Sequence, residues 1–252
     1  MALTALASRT QHDHVYHALY HAILEGDLEP GSRIIEAEIS AALGISRGPV
    51  REAIRRLDAE GLLVTRAYRG THIVRLSGHD VVELYAVRAA LEGCAAVSGL
   101  DVLRAEHLEA MEEQLDGLDQ AARAPDWDRV AVLDADWHSH ITMAGSNARL
   151  HAMWTTSNGP LRVLFARAAG SIYRPEQVRE RHATLLNVLR TGDPWTIEQS
   201  IREHYLFTAR HLAAHVEHGN TTQSHSGKEH VTFVRSHTPG NRVSIAKAII
   251  AG

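Results

Sequence analysis

Residues 44–63, GISRGPVREAIRRLDAEGLL, carry four arginines within ten positions, although the whole chain has a net charge of −4. Arg47, Arg51 and Arg55 are spaced four residues apart and therefore share one face of an α-helix. The opposite face is apolar and consists of Val50, Ala53, Ile54 and Leu57. The stretch is predicted to form an amphipathic helix whose basic face meets solvent or a partner.

The start of this helix suits contact with nucleic acid. Ser46 is the predicted N-cap, and the backbone N–H groups of a first helical turn attract phosphate. Gly48 allows close approach of a second backbone. Because recognition helices meet base edges with their N-terminal residues, we predict base contacts for Arg47 and Arg51. Arginine can bind guanine through two hydrogen bonds.

Arg55 and Arg56 lie further along the helix and are predicted to contact DNA phosphates. The alternative interpretation is a solvated helix face on which Glu52 and Arg56 form an ion pair one turn apart. The flanking sequence favours DNA, because a short helix and the turn Gly44-Ile45-Ser46 precede the arginines and a hairpin follows them.

These flanking elements complete a predicted winged helix-turn-helix over residues 10–76. Helices are predicted over 10–25, 36–43 and 46–60, with DLEPGSRI as a turn between the first two. The segments LLVT and THIVR are predicted to pair as a two-stranded hairpin with the polar tip RAYRG. Arg66 and Arg69 at this tip are predicted to reach the DNA backbone or the minor groove.

Bulk composition limits the classes of protein that fit. A hydrophobic content of 44% with 5% aromatics and 22% charged residues is typical of a soluble, helix-rich chain. Cys94 is the single cysteine, so no intramolecular disulfide forms. No apolar run is long enough for a membrane span and no secretory signal is present, so we expect a cytoplasmic protein without a membrane partner. Residues 13–76 hold eight arginines against nine acidic side chains, so any attraction to DNA depends on their arrangement.

Residues 77–218 are predicted to form an antiparallel all-helical bundle, which makes the fold mainly α. The S-x-x-D spacing of SGHD predicts a capping box that opens the first of these helices. Apolar stripes define the predicted buried faces, among them Leu84, Val87, Leu91 and Ala95 on that helix and Leu108, Met111, Leu115 and Leu118 on the next. Further helices are predicted over 127–144, 148–157, 160–169, 176–190 and 195–217. The polar tail 219–252 is predicted to be disordered.

Histidine is abundant, with 18 residues. The segment DRVAVLDADWHSHITMAG contains two carboxylate–imidazole pairs, and the two members of each pair are one helical turn apart. They are Asp134 with His138 and Asp136 with His140, and either pair could chelate one ion. Helical periodicity does not choose between them, because the pairs flank the apolar stripe on opposite sides.

The last two long helices supply two further histidines. His182 and His204 lie eleven residues before and after position 193, at the predicted turn between these helices. In an antiparallel hairpin they therefore face each other at one level, and each lies on an apolar stripe. With a pair from a third helix they make a four-ligand metal site; the alternative is a set of core histidines bonded to one another or to a carboxylate.

Arg88 falls in the middle of an apolar stripe. A buried guanidinium requires an anionic partner, because an unpaired buried charge is costly. Two partners are open at this point: the structural carboxylate of Glu92, or the carboxylate of a bound effector.

The N-terminal region resembles the DNA-binding domain of the GntR family of bacterial transcription factors. The resemblance rests on EGDLEPGSRIIEAEISAALGISRGPVREAIRRLDAEGLL followed by RG, and covers about residues 10–76. It implies that Arg47, Arg51 and Gly70 of the wing contact the operator. Gly48 stands where threonine is usual and Ala37 where some members have a DNA-contacting arginine, which implies a different affinity or sequence preference.

Residues 78–217 resemble the FCD-type (FadR-type) effector domain of that family. The family pattern D-x-x-x-H, followed nine residues later by Asn, matches Asp134, His138 and Asn147, and its two later metal histidines match His182 and His204. The resemblance thus selects Asp134 and His138 over the neighbouring pair. It implies a divalent ion and a carboxylate effector, with Asn147 as an effector-binding residue; Arg88, from its place in the apolar stripe, is the second residue predicted to bind the effector. Three imidazoles and one carboxylate suit Zn²⁺, with Ni²⁺ or Mn²⁺ as alternatives.

The predicted function is a transcriptional regulator, a repressor, that binds double-stranded operator DNA as a homodimer and responds to a small organic acid. Dimerisation is expected because paired operator half-sites require a two-fold protein. The chain is not predicted to be an enzyme. The alternatives are a metal-dependent hydrolase that uses the Asp/His site, and a metal-free regulator that binds a larger ligand.

Overall fold

The computed structural model describes residues 10–225, with side chains as far as His218. Residues 10–75 and 76–225 belong to two separate compact units. The boundary agrees with the change from a mixed helix-and-strand pattern to a purely helical one at Ser77, where α4 begins after its N-cap.

The first unit contains three helices and a small sheet. The helices are α1 (Gln11–Glu25), α2 (Glu36–Leu43) and α3 (Arg47–Ala59), and the strands are β1 (Arg33–Ile34), β2 (Leu63–Arg66) and β3 (Gly70–Ile73). Helix α1 packs on α3. The apolar residues of both helices are buried in the shared core: Val15, Leu19, Ile23, Val50, Ala53, Ile54 and Leu57. All four predicted inner residues of α3 are therefore buried, and its arginines are left outside.

The sheet has one strand more than the sequence predicts. Its order is β1-β3-β2, and both pairings are antiparallel. Strand β1 is only two residues long and pairs Arg33 with His72 and Ile34 with Thr71. The prediction of a turn over the whole of DLEPGSRI was wrong for its last two residues, which form β1. A strand of two residues is too short to show an alternating pattern in the sequence, and it forms by pairing with the edge of β3.

The second unit is helical throughout residues 76–225. Its elements are α4 (Gly78–Ser98), α5 (Leu100–Val102), a π-helical turn (Leu103–His107), α6 (Leu108–Arg123), α7 (Trp127–Ala144), α8 (Ala148–Thr156), α9 (Asn158–Ile172), α10 (Pro175–Thr191) and α11 (Pro194–His225). The capping box predicted for α4 is present: Asp80 N–H donates to Ser77 Oγ at 3.1 Å, and Ser77 N–H donates to Asp80 Oδ2 at 2.7 Å.

The predicted buried face of α4 was wrong. Of its four members only Ala95 is buried, and Val87 is 52% exposed. The face that enters the core is instead Val81, Tyr85, Arg88, Ala89, Glu92 and Ala96. Two of these residues are charged, so a search for apolar spacing selects the neighbouring face. This face packs along α11, which places charged groups inside the bundle.

The other stripes lie in the core as predicted. The stripe of α6 is buried, and so are Trp137, Ile141, Leu185 and Leu189. Truncation of a buried tryptophan costs about 3–5 kcal/mol, so Trp137 is a principal stabiliser of this core. Helix α11 continues beyond its predicted end to His225, and residues 226–252 of the predicted tail lie outside the described residues. Within the described helices none is long and apolar enough to span a membrane.

Candidate functional site

The N-terminus of α3 is open to solvent. Ser46 is the N-cap, as predicted, but its side chain makes no capping hydrogen bond, so it satisfies none of the first-turn N–H groups. A Cβ added at Gly48 would meet only Ser46 Oγ, at 4.0 Å. This end of α3 therefore leaves room and backbone donors for a phosphate.

The arginine face consists of Arg47, Arg51 and Arg55. All three residues are exposed on the same side of α3. Arg47 makes no ion pair or hydrogen bond with any described residue, Arg51 lies 3.3 Å from Glu36 Oε2, and Arg55 lies 2.8 Å from Glu52 Oε1. Exposed ion pairs contribute about 0–1 kcal/mol, so these guanidinium groups can exchange their carboxylates for DNA at little cost.

Arg56 points away from the arginine face. Its guanidinium lies 3.7 Å from the centre of the Tyr16 ring on α1, and it forms ion pairs with Asp13 at 3.4 Å and Glu60 at 3.2 Å. Glu52, the partner proposed for Arg56 in the alternative interpretation, pairs with Arg55 instead. The structure therefore places Arg56 between α3 and α1, within its own domain.

The wing carries a group of cations on one short hairpin. Arg66 and Arg69 are both exposed at the tip, where Tyr68 has a positive φ of 61°. Gly70 has φ of +86°, and a Cβ there would lie 3.0 Å from Arg33 Nε. Only glycine fits this position without strain. Arg33 of β1 therefore lies beside Gly70, a neighbour that the sequence analysis missed because β1 has no readable pattern.

The imidazole cluster consists of His138 on α7, His182 on α10 and His204 on α11. One ring nitrogen of each lies within 4.8 Å of the others. Asp134, one turn before His138, places Oδ1 3.1 Å from His182 Nε2 and 4.0 Å from His138 Nε2. The rings of His182 and His204 are 5.0 Å apart, as the symmetric hairpin spacing predicts. The three imidazoles are thus brought together with Asp134 beside His138 and His182, whereas His140 lies elsewhere, against His107.

Two imidazoles are oriented by hydrogen bonds through Nδ1. His138 Nδ1 donates to Glu92 Oε1 at 2.7 Å, and His182 Nδ1 donates to the Val178 carbonyl oxygen at 2.7 Å. His138 Nε2 is buried without a hydrogen-bond partner among the described residues. In its neutral form His138 therefore presents a free lone pair at Nε2, whereas a metal ion would have to replace the proton through which His182 Nε2 contacts Asp134 Oδ1 at 3.1 Å. The donor set therefore fits a divalent ion.

The electrostatics of the cluster favour an ionised Asp134 and a neutral His204. Burial raises the pKa of the Asp134 carboxyl, but the hydrogen bond from His182 and the charges of His138 and Arg88 outweigh it and lower that pKa to about 2. Burial and the neighbouring imidazoles hold the pKa of His204 well below its ordinary value. An ionised carboxylate and a neutral imidazole are the forms that bind metal.

Glu92 joins the imidazole cluster to a second layer of polar groups. Besides its bond to His138, Glu92 accepts the Tyr205 hydroxyl at Oε2, at 2.6 Å. Burial lowers the pKa of the His138 imidazole, but the Glu92 carboxylate outweighs burial and raises it. Glu92 was considered above only as a partner for Arg88, because its link to a histidine 46 positions away has no sequence signal.

Arg88 is buried in α4 as predicted, with neutral partners. Nη1 donates to Ser157 Oγ at 3.2 Å and to Asn158 Oδ1, and Nη2 lies 3.4 Å from the Tyr205 hydroxyl. The guanidinium lies 4.3 Å above the Trp154 ring. Nε is buried and has no partner within the described part of the chain. Neither Glu92 nor another described carboxylate forms an ion pair with Arg88.

Two family models match the chain. The model for "Bacterial regulatory proteins, gntR family" matches residues 11–73, and the FCD domain model matches residues 83–207. A Paenarthrobacter nicotinovorans protein named "Probable D-xylose utilization operon transcriptional repressor" is 31% identical over 182 residues, which are 72% of this chain and 80% of the relative. The chain belongs to the GntR family.

Other GntR-type proteins agree with this assignment. The "HTH-type transcriptional repressor RspR" of Escherichia coli K12 is 24% identical over 194 residues, 75% of this chain and 83% of the relative. The solved structure of E. coli McbR/YncC has the same fold, with a TM-score of 0.64 at 22% identity over 82% of this chain and 99% of that one. The chain is therefore a transcriptional regulator of the GntR type with an FCD domain, and the relatives do not support the hydrolase alternative.

Asn147 is more exposed than the other residues predicted for the metal and effector sites of this GntR-family chain. It is exposed and serves as the N-cap of α8, where Oδ1 accepts from Leu150 N–H at 3.1 Å. The imidazole cluster is largely buried by contrast. In the structure the side-chain oxygen of Asn147 is therefore used to cap α8.

Proposed function

We propose that this regulator is a metal-dependent repressor whose operator affinity is controlled by a small carboxylate. The supporting observation is the imidazole cluster with Asp134. In this cluster Glu92 holds Nδ1 of His138, and the Val178 carbonyl oxygen holds Nδ1 of His182. Asp134, His138, His182 and His204 would hold the ion, with Zn²⁺ best suited to this donor set. When bound, the ion supplies a Lewis-acidic position for a carboxylate oxygen.

Arg88 supports a carboxylate as effector. Its buried guanidinium makes no direct ion pair with a described carboxylate, and its Nε donor is unused within the described residues. An effector carboxylate beside Arg88 could accept this hydrogen bond and form the direct ion pair.

Operator contact is assigned to the arginine face and the wing. Arg47 and Arg51 would contact bases, and Arg55 with Arg66 and Arg69 would contact phosphates. Ser46 and Gly48 would allow the DNA backbone to approach the open α3 terminus, and Gly70 would contact the operator from the wing beside Arg33.

A homodimer is proposed because operator half-sites require a two-fold protein. One side of α4 supports this arrangement, since four small apolar residues are exposed there: Val82, Ala86, Ala90 and Val97. A second copy that covered this side would remove exposed apolar surface from water. Sedimentation at several concentrations measures the stoichiometry directly.

The function is tested with DNA selected from random duplexes by the purified full chain. Operator affinity is then measured with a panel of small mono- and dicarboxylic acids, once with Zn²⁺-loaded protein and once with metal-free protein. We expect at least one acid to weaken operator binding by the metal-loaded protein, with a much smaller effect on the metal-free protein. A panel without effect on either form would contradict carboxylate control, and equal effects would contradict the metal requirement.

A further inference from the structure

A second group of imidazoles lies on the far side of α7 from the imidazole cluster. His140 is two residues after His138, so the two side chains project from nearly opposite sides of the helix. His140 Nδ1 lies 3.0 Å from His107 Nδ1, and the two rings meet edge to face. This is the region of the Asp136–His140 pair, which the proposed function leaves unused.

His107 reaches this position through the π-helical turn Leu103–His107. Such turns occur mainly as single-turn insertions, frequently at functional sites. The turn packs against α7, so it brings a histidine from another element to His140. The contact joins two partly buried side chains 33 residues apart in sequence.

Gln114 on α6 holds the other nitrogen of His140. The Gln114 carboxamide nitrogen lies 3.1 Å from His140 Nε2, while its Oε1 is buried without a partner among the described residues. The two ends of a carboxamide have the same shape, and rotation of the group by half a turn places Oε1 as acceptor for His140 Nε2–H. That arrangement satisfies the oxygen and leaves a lone pair on His140 Nδ1, facing His107 Nδ1.

We propose that His107 and His140 form a second binding site for a borderline divalent transition-metal ion such as Zn²⁺ or Cu²⁺. Two nitrogens 3.0 Å apart can both lie at a normal bond length of about 2.1 Å from one ion. Gln114 orients His140 through its Nε2 atom, and water or the exposed carboxylate of Asp136 completes the coordination of the ion. With two protein nitrogens and access to solvent, this site binds more weakly than the imidazole cluster.

The site would link the π-helical turn to α7, the helix that also carries Asp134 and His138. It requires none of the residues of the imidazole cluster, so the two metal sites can be tested independently.

The test uses the full chain, without an affinity tag, stripped of metal and titrated separately with Zn²⁺ and with Cu²⁺. We expect a second, weaker equivalent in the wild type that disappears in His107→Ala and in His140→Ala, while the tighter equivalent remains. In the His182→Ala/His204→Ala variant, the Cu²⁺ electron paramagnetic resonance spectrum should show hyperfine coupling to two imidazole nitrogens. Gln114→Leu should weaken the second equivalent by about 10–100-fold, because it removes an outer hydrogen bond.

His79→Ala is the matched control, since it removes an exposed histidine whose one ion pair among the described residues is with Glu83, at 3.2 Å. It should leave both equivalents unchanged. Because His107 and His140 lie on different elements, either variant that retains the wild-type circular dichroism spectrum decides the result. Absence of a second equivalent at sub-millimolar metal, or its persistence in a folded His107→Ala or His140→Ala protein, would overturn the proposal.

Discussion

The two candidate sites use charge in opposite ways. On the arginine face, guanidinium groups remain in water and make exposed ion pairs with carboxylates of their own domain. In the helical bundle, by contrast, Arg88, Glu92 and His138 are buried and depend on specific neighbours. Exposed charges are available to a partner at almost no cost in stability, whereas buried charges must be matched for the domain to remain folded.

This difference separates the expected effects of mutation. Substitutions on the arginine face should change binding and leave stability intact. Substitutions in the bundle should change stability, metal content or both. Four measurements test this separation.

The largest effect is expected from loss of two metal ligands. His182→Ala combined with His204→Ala should lower the metal content of untagged protein, purified without chelators, by one equivalent per chain, because two nitrogens of the imidazole cluster are removed. Elemental analysis by mass spectrometry measures this content. His215→Ala, an exposed histidine on the same helix α11, should have no effect, and a double variant with wild-type metal content would place the ion elsewhere.

Glu92→Ala should cause the largest loss of stability among the single substitutions considered. It leaves His138 Nδ1 and the Tyr205 hydroxyl without their hydrogen-bond acceptor, and it removes the carboxylate that contacts His138 on the side away from the metal-binding nitrogen. Breaking a buried charged network in this way costs about 3–5 kcal/mol. Urea unfolding of metal-free protein measures the loss.

Glu83→Ala is the matched control for Glu92→Ala, since it removes an exposed glutamate from the same helix. Its expected change is within about 0.5 kcal/mol. If both variants unfolded at the same urea concentration, the contrast between exposed and buried charge would fail for α4.

The same contrast explains how far the sequence predicts the structure. The arginine face follows from spacing within one helix, and the opposition of His182 to His204 follows from counting residues on either side of a turn. Both predictions depend on local geometry, and the structure has the predicted arrangement in each case.

The predictions that failed depend on distant contacts or on buried charge. The buried side of α4 was misplaced because Glu92 does not fit an apolar pattern, and its partners on α7 and α11 are distant in sequence. Strand β1 was missed because only β3 defines it. No local pattern predicts that Arg56 turns towards Tyr16 on α1.

On the arginine face, Arg47→Ala and Arg51→Ala should each weaken operator binding by about 1–3 kcal/mol, which is the range for a two-pronged contact with guanine. Thermal stability should change little, because Arg47 has no partner among the described residues and the Arg51–Glu36 pair is exposed. Fluorescence anisotropy with the selected operator measures the affinity. Arg202→Ala, an exposed arginine on α11, is the control, and wild-type affinity in Arg51→Ala would refute the assigned face.

The smallest effect distinguishes Arg55 from its neighbour Arg56. Arg56→Ala removes the contact with Tyr16 and two partly exposed ion pairs, so it should lower the stability of the N-terminal domain by about 1 kcal/mol. Its operator affinity should fall with salt as steeply as that of the wild type. Arg55→Ala should instead lower the slope of log affinity against log salt by about 1, as expected when one phosphate contact is lost. A side chain that stays against Tyr16 on α1 cannot release a counterion from DNA. A reduced slope in Arg56→Ala would therefore show that Arg56 leaves Tyr16 and binds phosphate, as its position in the sequence predicts.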